Sequence, residues 1–212
     1  MKKEQKPDKK MKNITNFLFE VGILAKTPRS GFHFLGTGVQ TVAEHISRAV
    51  YIGYTLANLE GADVSKVMKM CLFHDLGEAR VSDLNYVHQM YVEKKERKAI
   101  SDSSENLPFG EDIGKIVDEF EERKSLESIV AKDADNLEWI LSLKEQSDVG
   151  NKRADEWIVS AVKRLKTKSA KAIALKALKT DSNAWWFGDN KNDSWWVNRD
   201  KKKSNIKWNK EY

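Results

Sequence analysis

Cys71-Leu72-Phe73-His74-Asp75-Leu76-Gly77-Glu78 is the stretch on which the reading of this chain turns. Val64, Val67, Met68, Cys71 and Leu72 lead through it at the 3.6-residue period of a helix, and Asp75 continues the same face. A carboxylate aimed into a core is costly unless it is paired, hydrogen-bonded or bound to a cation. His74 beside it offers a neutral imidazole, a frequent transition-metal ligand. A helix end with both side chains turned to solvent and Gly77 as the stop is the plain alternative. The rest of the chain weighs against it.

Upstream, Thr41 and Glu44 stand at capping-box spacing. The helix they open has Val42, Ile46, Ala49, Val50 and Leu56 inward, and His45 lies beside that stripe. Before it, a helix over about 14–24 is expected, with Phe17, Leu18, Val21 and Leu24 inward. Pro28 ends that helix, and the glycine-bearing loop from Arg29 to Gly38 has the arginine and aromatics of a pocket wall. Asp63 is placed to cap the helix that carries the His-Asp doublet.

Downstream, 79–85 reads as a loop containing Asp83, followed by charged helical segments over about 86–100 and a turn-rich break at 101–111. Helices resume over about 112–123 and 126–146. The second has Leu126, Val130, Leu137 and Leu141 on one side and Trp139 nearly opposite Leu137, so most of its circumference should be buried. Asp133 projects near the Leu137 side and Asp135 near the Trp139 side, and the period favours Asp133 as the inward carboxylate. Trp157, Ile158, Ala161, Val162 and Leu165 mark a further helix, with another over about 169–178. No β-branched alternation is long enough for a strand, so an all-α fold is expected.

The chain has 212 residues, 40% of them hydrophobic and 33% charged, which suits one sizeable domain with a highly charged surface. No apolar run approaches the roughly 18 residues of a membrane span, and the lysine-rich start is not followed by a signal-type apolar segment, so a cytoplasmic protein is expected. Cys71 is the only cysteine, which excludes an internal disulfide, and it belongs on the apolar helix face as a core residue. The net charge of +5 sits at the ends: residues 1–12 carry six Lys against Glu4 and Asp8, and residues 199–212 carry Arg199 and five Lys against Asp200 and Glu211. The body between is slightly acidic, which argues for solvated tails over a nucleic-acid-binding face. Disorder is expected over residues 1–12. Trp185, Trp186, Trp195, Trp196 and Trp208 crowd the last part of the chain. They are expected to pack on the body or on a second subunit, with base stacking as the sharper alternative.

His45, the pair His74 and Asp75, and Asp133 or Asp135 thus come from three helices. Two histidines and two carboxylates suit one divalent transition metal, Mn, Fe, Co, Ni or Zn, better than Ca. This pattern resembles the HD-domain superfamily of metal-dependent phosphohydrolases, and within it the YfbR-type 5′-deoxynucleotidase group. The resemblance rests on Val42-Ala43-Glu44-His45, on His74-Asp75-Leu76-Gly77-Glu78 followed by Ser82-Asp83-Leu84, and on Lys132-Asp133-Ala134-Asp135, and it covers roughly residues 13–165.

The resemblance implies an all-helical HD domain over 13–180, with a Trp-rich basic extension over 181–212. It implies metal ligands His45, His74, Asp75 and Asp135, against the period's preference for Asp133. It also implies Glu78 and Asp83 as catalytic acidic residues and Arg29 as the phosphate-binding arginine. Phe32 stands near the place where the group usually has the Trp that senses the sugar. Leu84-Asn85-Tyr86 replaces the usual Thr-Pro turn. His33 and His88 have no partner in the pattern and read as structural or surface residues. The reaction implied is hydrolysis of (deoxy)nucleoside 5′-monophosphates to nucleoside and phosphate by a homodimer that has no membrane or nucleic-acid partner. Hydrolysis of a nucleoside triphosphate or guanosine alarmone is one rival. A catalytically silent helical module binding nucleic acid or protein through its tail is the other.

Overall fold

The computed structural model describes residues 7–187, without the side chains of Trp186 and Phe187. Helix α1 spans Pro7–Val21, α2 Gly31–Leu35, α3 Val42–Glu60, α4 Val64–Phe73, α5 Glu78–Val81 and α6 Tyr86–Gln89. Helices α7 to α12 span Glu96–Ser104, Gly110–Glu122, Leu126–Asp148, Lys152–Val162, Lys168–Ala177 and Ala184–Phe187. Among the described residues there is no strand, only an isolated bridge between Pro28 and Thr41. None of these helices is long and apolar enough to cross a membrane.

The caps foreseen at Thr41 and Asp63 are in place. Thr41 and Glu44 form the full reciprocal box, and the Asp63 carboxylate accepts from the Lys66 amide. α1 starts at Pro7, so the expected disorder through residue 12 holds for none of Pro7–Lys12. Proline fits the first turn of a helix and lysine is a good helix former, so polarity there does not preclude helix. Leu18, expected inward, is exposed, because α1 rests only one edge on the body through Phe17, with Leu24 buried in the turn that follows the helix. The supposed loop at 31–35 is the short helix α2, and residues 78–81 form α5.

Two apolar clusters make the core. One joins Leu56, Met70, Phe120, Leu137, Ile140 and Ile158; the other joins Phe17, Leu24, Val42, Ile46, Ile100 and Ile113. α3 contributes its first turns, where His45 stands between Val42 and Ile46, to the second cluster and its last turns to the first. α3 and α4 approach closely at Gly53, where a Cβ would lie 2.6 Å from Cys71 Sγ. That contact brings the helix bearing His45 against the helix that ends at His74. α9 lies across both, buried at Val130, Ala131, Ala134, Leu137, Ile140 and Leu143. At the far end Trp185 is 75% exposed and so does not pack on the body, one of the two places expected for the aromatic tail. The chain is tied at Ser182, whose amide donates to Asp148, and α12 leaves the body just after it. Trp195, Trp196 and Trp208 lie outside the described residues.

Candidate metal centre and cleft

His45, His74, Asp75 and Asp135 converge at the junction of α3, α4 and α9. His45 Nε2 is 3.3 Å from His74 Nε2, 3.2 Å from Asp135 Oδ1 and 3.6 Å from Asp75 Oδ2. His74 Nε2 is 3.2 Å from Asp75 Oδ2. Both imidazoles are buried, and their other nitrogens are committed. His74 Nδ1–H donates to the Cys71 carbonyl at 2.9 Å, and His45 Nδ1–H donates to Glu138 Oε2 at 2.5 Å. These ties leave both Nε2 lone pairs facing each other and two carboxylates. Such a set repels itself unless a cation or an added proton lies among it. Neighbouring donors on a transition metal bound at about 2.1 Å stand about 3 to 3.5 Å apart, close to the spacings here, so the residues fit the metal that the pattern implies. Burial and Arg29 push the His45 imidazole down, but Asp135 and Glu138 outweigh them and hold it up at about 9. The surroundings call for positive charge at this point.

The choice between the two aspartates of α9 has a physical answer. Asp133 is buried, and its carboxylate accepts from the Lys166 amide, the Thr167 amide at 2.6 Å and the Thr167 hydroxyl at 2.8 Å. Its inward direction, which the period detects, leads to the start of α11. Asp135 instead reaches the two imidazoles, with Lys132 Nζ on its other oxygen at 2.6 Å.

Glu138 was not singled out from the sequence. Fully buried, it receives Arg48, Gln40 and Ser142 on one oxygen and His45 on the other. Burial pushes its carboxyl up, but His45 and Arg48 bring it down to about 2, so it stays charged and orients the imidazole. The available signal was a glutamate on a helix buried all round, which needs a partner. Cys71 is a core residue, its thiol pushed up to about 12 by burial first and Asp135 second. Its backbone carbonyl is what serves the site.

Above the cluster opens a cleft of about 760 Å³. Arg29 reaches into it, with Nη1 3.4 Å from Asp75 Oδ2 and 3.7 Å from Asp83 Oδ2. Asp83 also accepts from the Ser30 amide at 2.9 Å and so pins the loop that presents the arginine. Glu78, buried at the base of α5, accepts from Lys94 on Oε1 at 3.2 Å, while its Oε2 has no hydrogen-bond partner. Burial first, then Asp75 and Asp83, raise its carboxyl to about 8 against the pull of Lys94 and Arg29. Phe32, expected in the pocket, is behind the wall. It is buried edge-on against Trp139, ring centroids 5.4 Å apart, because α2 turns Phe32 inward and leaves Phe34 to line the cleft. Trp139, Trp157 and Arg164 also line it, none of them foreseen there. His33 and His88 are exposed, as expected.

An all-helical bundle that gathers two imidazoles and two carboxylates beneath an arginine-lined cleft defines a class, the metal-dependent hydrolases. The sequence matches the HD domain over residues 21–177. It is 30% identical over 148 residues to the 5′-deoxynucleotidase HDDC2 of Dictyostelium discoideum, covering 64% of this chain and 78% of that one. The Danio rerio 5′-deoxynucleotidase HDDC2 is 28% identical over 158 residues, 71% and 78% of the two chains. Among solved structures, a conserved hypothetical protein from Pyrococcus furiosus superposes with a TM-score of 0.65 at 26% identity, covering 78% of this chain and 98% of that one. The chain belongs to the HD-domain family, and it is a phosphohydrolase of that family.

Proposed function

We propose that the protein hydrolyses deoxynucleoside 5′-monophosphates to nucleoside and phosphate, with one divalent transition metal held by His45, His74, Asp75 and Asp135. The observation that carries this reading is the pair of opposed Nε2 atoms with Asp75 and Asp135 under a cleft large enough for a nucleotide. The names of the HDDC2 relatives support the substrate class.

The cation, when bound, neutralises charge on the phosphoryl oxygens and acidifies the attacking water. Arg29 donates to the phosphate oxygens through its planar fork, with Asp75 and Asp83 holding the guanidinium in place. Glu78, ionised once a cation offsets the charge of Asp75 that helps hold its carboxyl up, takes the proton of the attacking water on Oε2, the oxygen left without a partner while Lys94 fixes Oε1. The water oxygen bonds to phosphorus as the bond to O5′ breaks, and Asp83 passes on to O5′ the proton that left the water. The deciding assay is phosphate release from all ribo- and deoxyribonucleoside 5′-monophosphates, with Mn, Co, Ni and Mg each added back to metal-stripped protein. Deoxynucleotides hydrolysed in the presence of a transition metal are the expected result; pyrophosphate release from triphosphates in its place overturns it. In the same assay Glu78→Gln should keep its metal and lose roughly 10²- to 10⁴-fold in turnover. Loss of metal along with activity would make Glu78 a ligand.

A further inference from the structure

The cleft extends beyond what a phosphate needs. Arg29 and the cluster of imidazoles and carboxylates mark the phosphate end, and none of that cluster lies on α10 or the turn after it. That part of the wall is Trp157, Ser160 and Arg164, faced by Tyr86 from α6. Trp157 packs against Trp139, ring centroids 6.4 Å apart and planes inclined by 41°, which supplies an aromatic surface for a flat ring. If the phosphate sits by Arg29, the base of a nucleotide lies here.

The cations of the wall are not equivalent. Arg29 faces Asp75, Lys132 pairs with Asp135, and Lys94 lies between Glu78 and Glu96. Arg123 stacks over Phe120 and has Glu121 at 3.5 Å. Arg164 pairs with no carboxylate among the described residues. Its Nη2 donates to the neutral Tyr86 hydroxyl at 3.0 Å, the contact that joins α6 to the turn after α10. One edge of the guanidinium is thereby oriented, and its remaining N–H donors stay available to a ligand. A planar fork of donors matches two adjacent acceptors. Of the two purines guanine offers that pair, O6 beside N7, while adenine sets an amino donor beside N7; of the pyrimidines cytosine offers O2 beside N3, while thymine sets its N3–H between two carbonyls.

We propose that Arg164, oriented by Tyr86, reads the base and makes guanine deoxynucleoside 5′-monophosphate preferred over its adenine counterpart, an inference that rests on the nucleotidase reading above. The test is kcat/KM of the metal-loaded full chain for dGMP, dAMP, dCMP and dTMP. The dGMP value should exceed the dAMP value about tenfold or more, the usual worth of a bidentate contact to guanine. Arg164→Met should bring that ratio close to one. Tyr86→Phe, on an exposed side chain, should lower it part of the way. A ratio measured on one sample does not depend on how much of the sample is folded. Equal values for dGMP and dAMP in the natural protein overturn the proposal, and so does an Arg164→Met enzyme that keeps the ratio. Phosphate from none of the four removes the nucleotidase reading and this inference with it; phosphate from all four without base preference leaves that reading standing and removes only this one.

Discussion

Asp133 and Asp135 stand two residues apart on α9, about 200° apart around its axis, and both are largely withdrawn from water. Asp133 faces a complete set of donors from its own chain, two amides and a hydroxyl at the start of α11. Asp135 faces two imidazole nitrogens whose protons are placed elsewhere, a lysine and, beyond them, a second carboxylate. The first arrangement is finished by folding; the second, on the function proposed above, is finished when a cation joins it. Burial alone therefore does not mark a functional carboxylate. What marks it is whether the surrounding groups satisfy it or share its deficit.

The strongest way to break this contrast is to neutralise the incomplete side. Asp135→Asn should take bound metal from about one per chain to near zero and phosphate release with it. Its folding should be intact, because no amide of the main chain depends on Asp135. Metal content by elemental analysis and thermal melting on the same sample check both halves. Full metal occupancy in Asp135→Asn would mean that Asp135 is not a ligand.

Asp133→Ala should do the reverse. Leaving the buried Thr167 amide and hydroxyl and the part-buried Lys166 amide without their acceptor costs on the order of 3 to 4 kcal/mol, because an unsatisfied buried donor costs about 1 to 3 kcal/mol. For a chain of this size that lowers the melting temperature by roughly 6 to 16 °C. Metal content per folded chain should not change, and a metal-free but stably folded Asp133→Ala would erase the contrast.

Glu138 tests where the line falls, since it is fully satisfied and yet serves the site. Glu138→Gln keeps the shape but removes the charge that His45 and Arg48 share. Loss of such an orienting partner typically weakens metal affinity about 10- to 100-fold. Competition with a chelator reads this directly. Unchanged affinity would make the Glu138–His45 contact a packing feature only.

The same contrast explains how far the sequence could be read. The doublet, the capping box and the position of His45 beside an apolar stripe are local patterns, and local patterns follow from helix geometry. The helix start at Asp63 was legible for the same reason. Periodicity rightly sent Asp133 inward, but a helical wheel shows direction and not destination. The donors that satisfy it come from 33 and 34 residues away. Resemblance to the family pattern pointed to Asp135, where the period favoured Asp133. Phe32 was misplaced because a loop with three glycines hides a five-residue helix, and that turn decides which aromatic faces the cleft. Lys94 and Arg164 reach the cleft from segments whose placement depends on tertiary packing.

The smallest effect is the most discriminating, and it concerns Thr167. Its hydroxyl donates to Asp133 at 2.8 Å and accepts from the Ala170 amide at 3.3 Å, so one atom both caps α11 and completes the buried carboxylate. Thr167→Ala removes both and should cost about 1 kcal/mol, the usual loss for an N-cap, or roughly 2 to 4 °C in melting temperature. Thr167→Ser keeps the oxygen and should recover most of it. Combined with Asp133→Ala, the loss should be less than additive, since each substitution removes the same hydroxyl-to-carboxylate bond. Metal affinity should stay constant through the whole series. α9 is a continuous helix of 23 residues held by buried contacts along its length, so loosening the face toward α11 does not move the face toward the imidazoles. A fall in metal affinity in Thr167→Ala would show that the two faces are coupled through the helix, and the finished carboxylate would then be part of what positions the unfinished one.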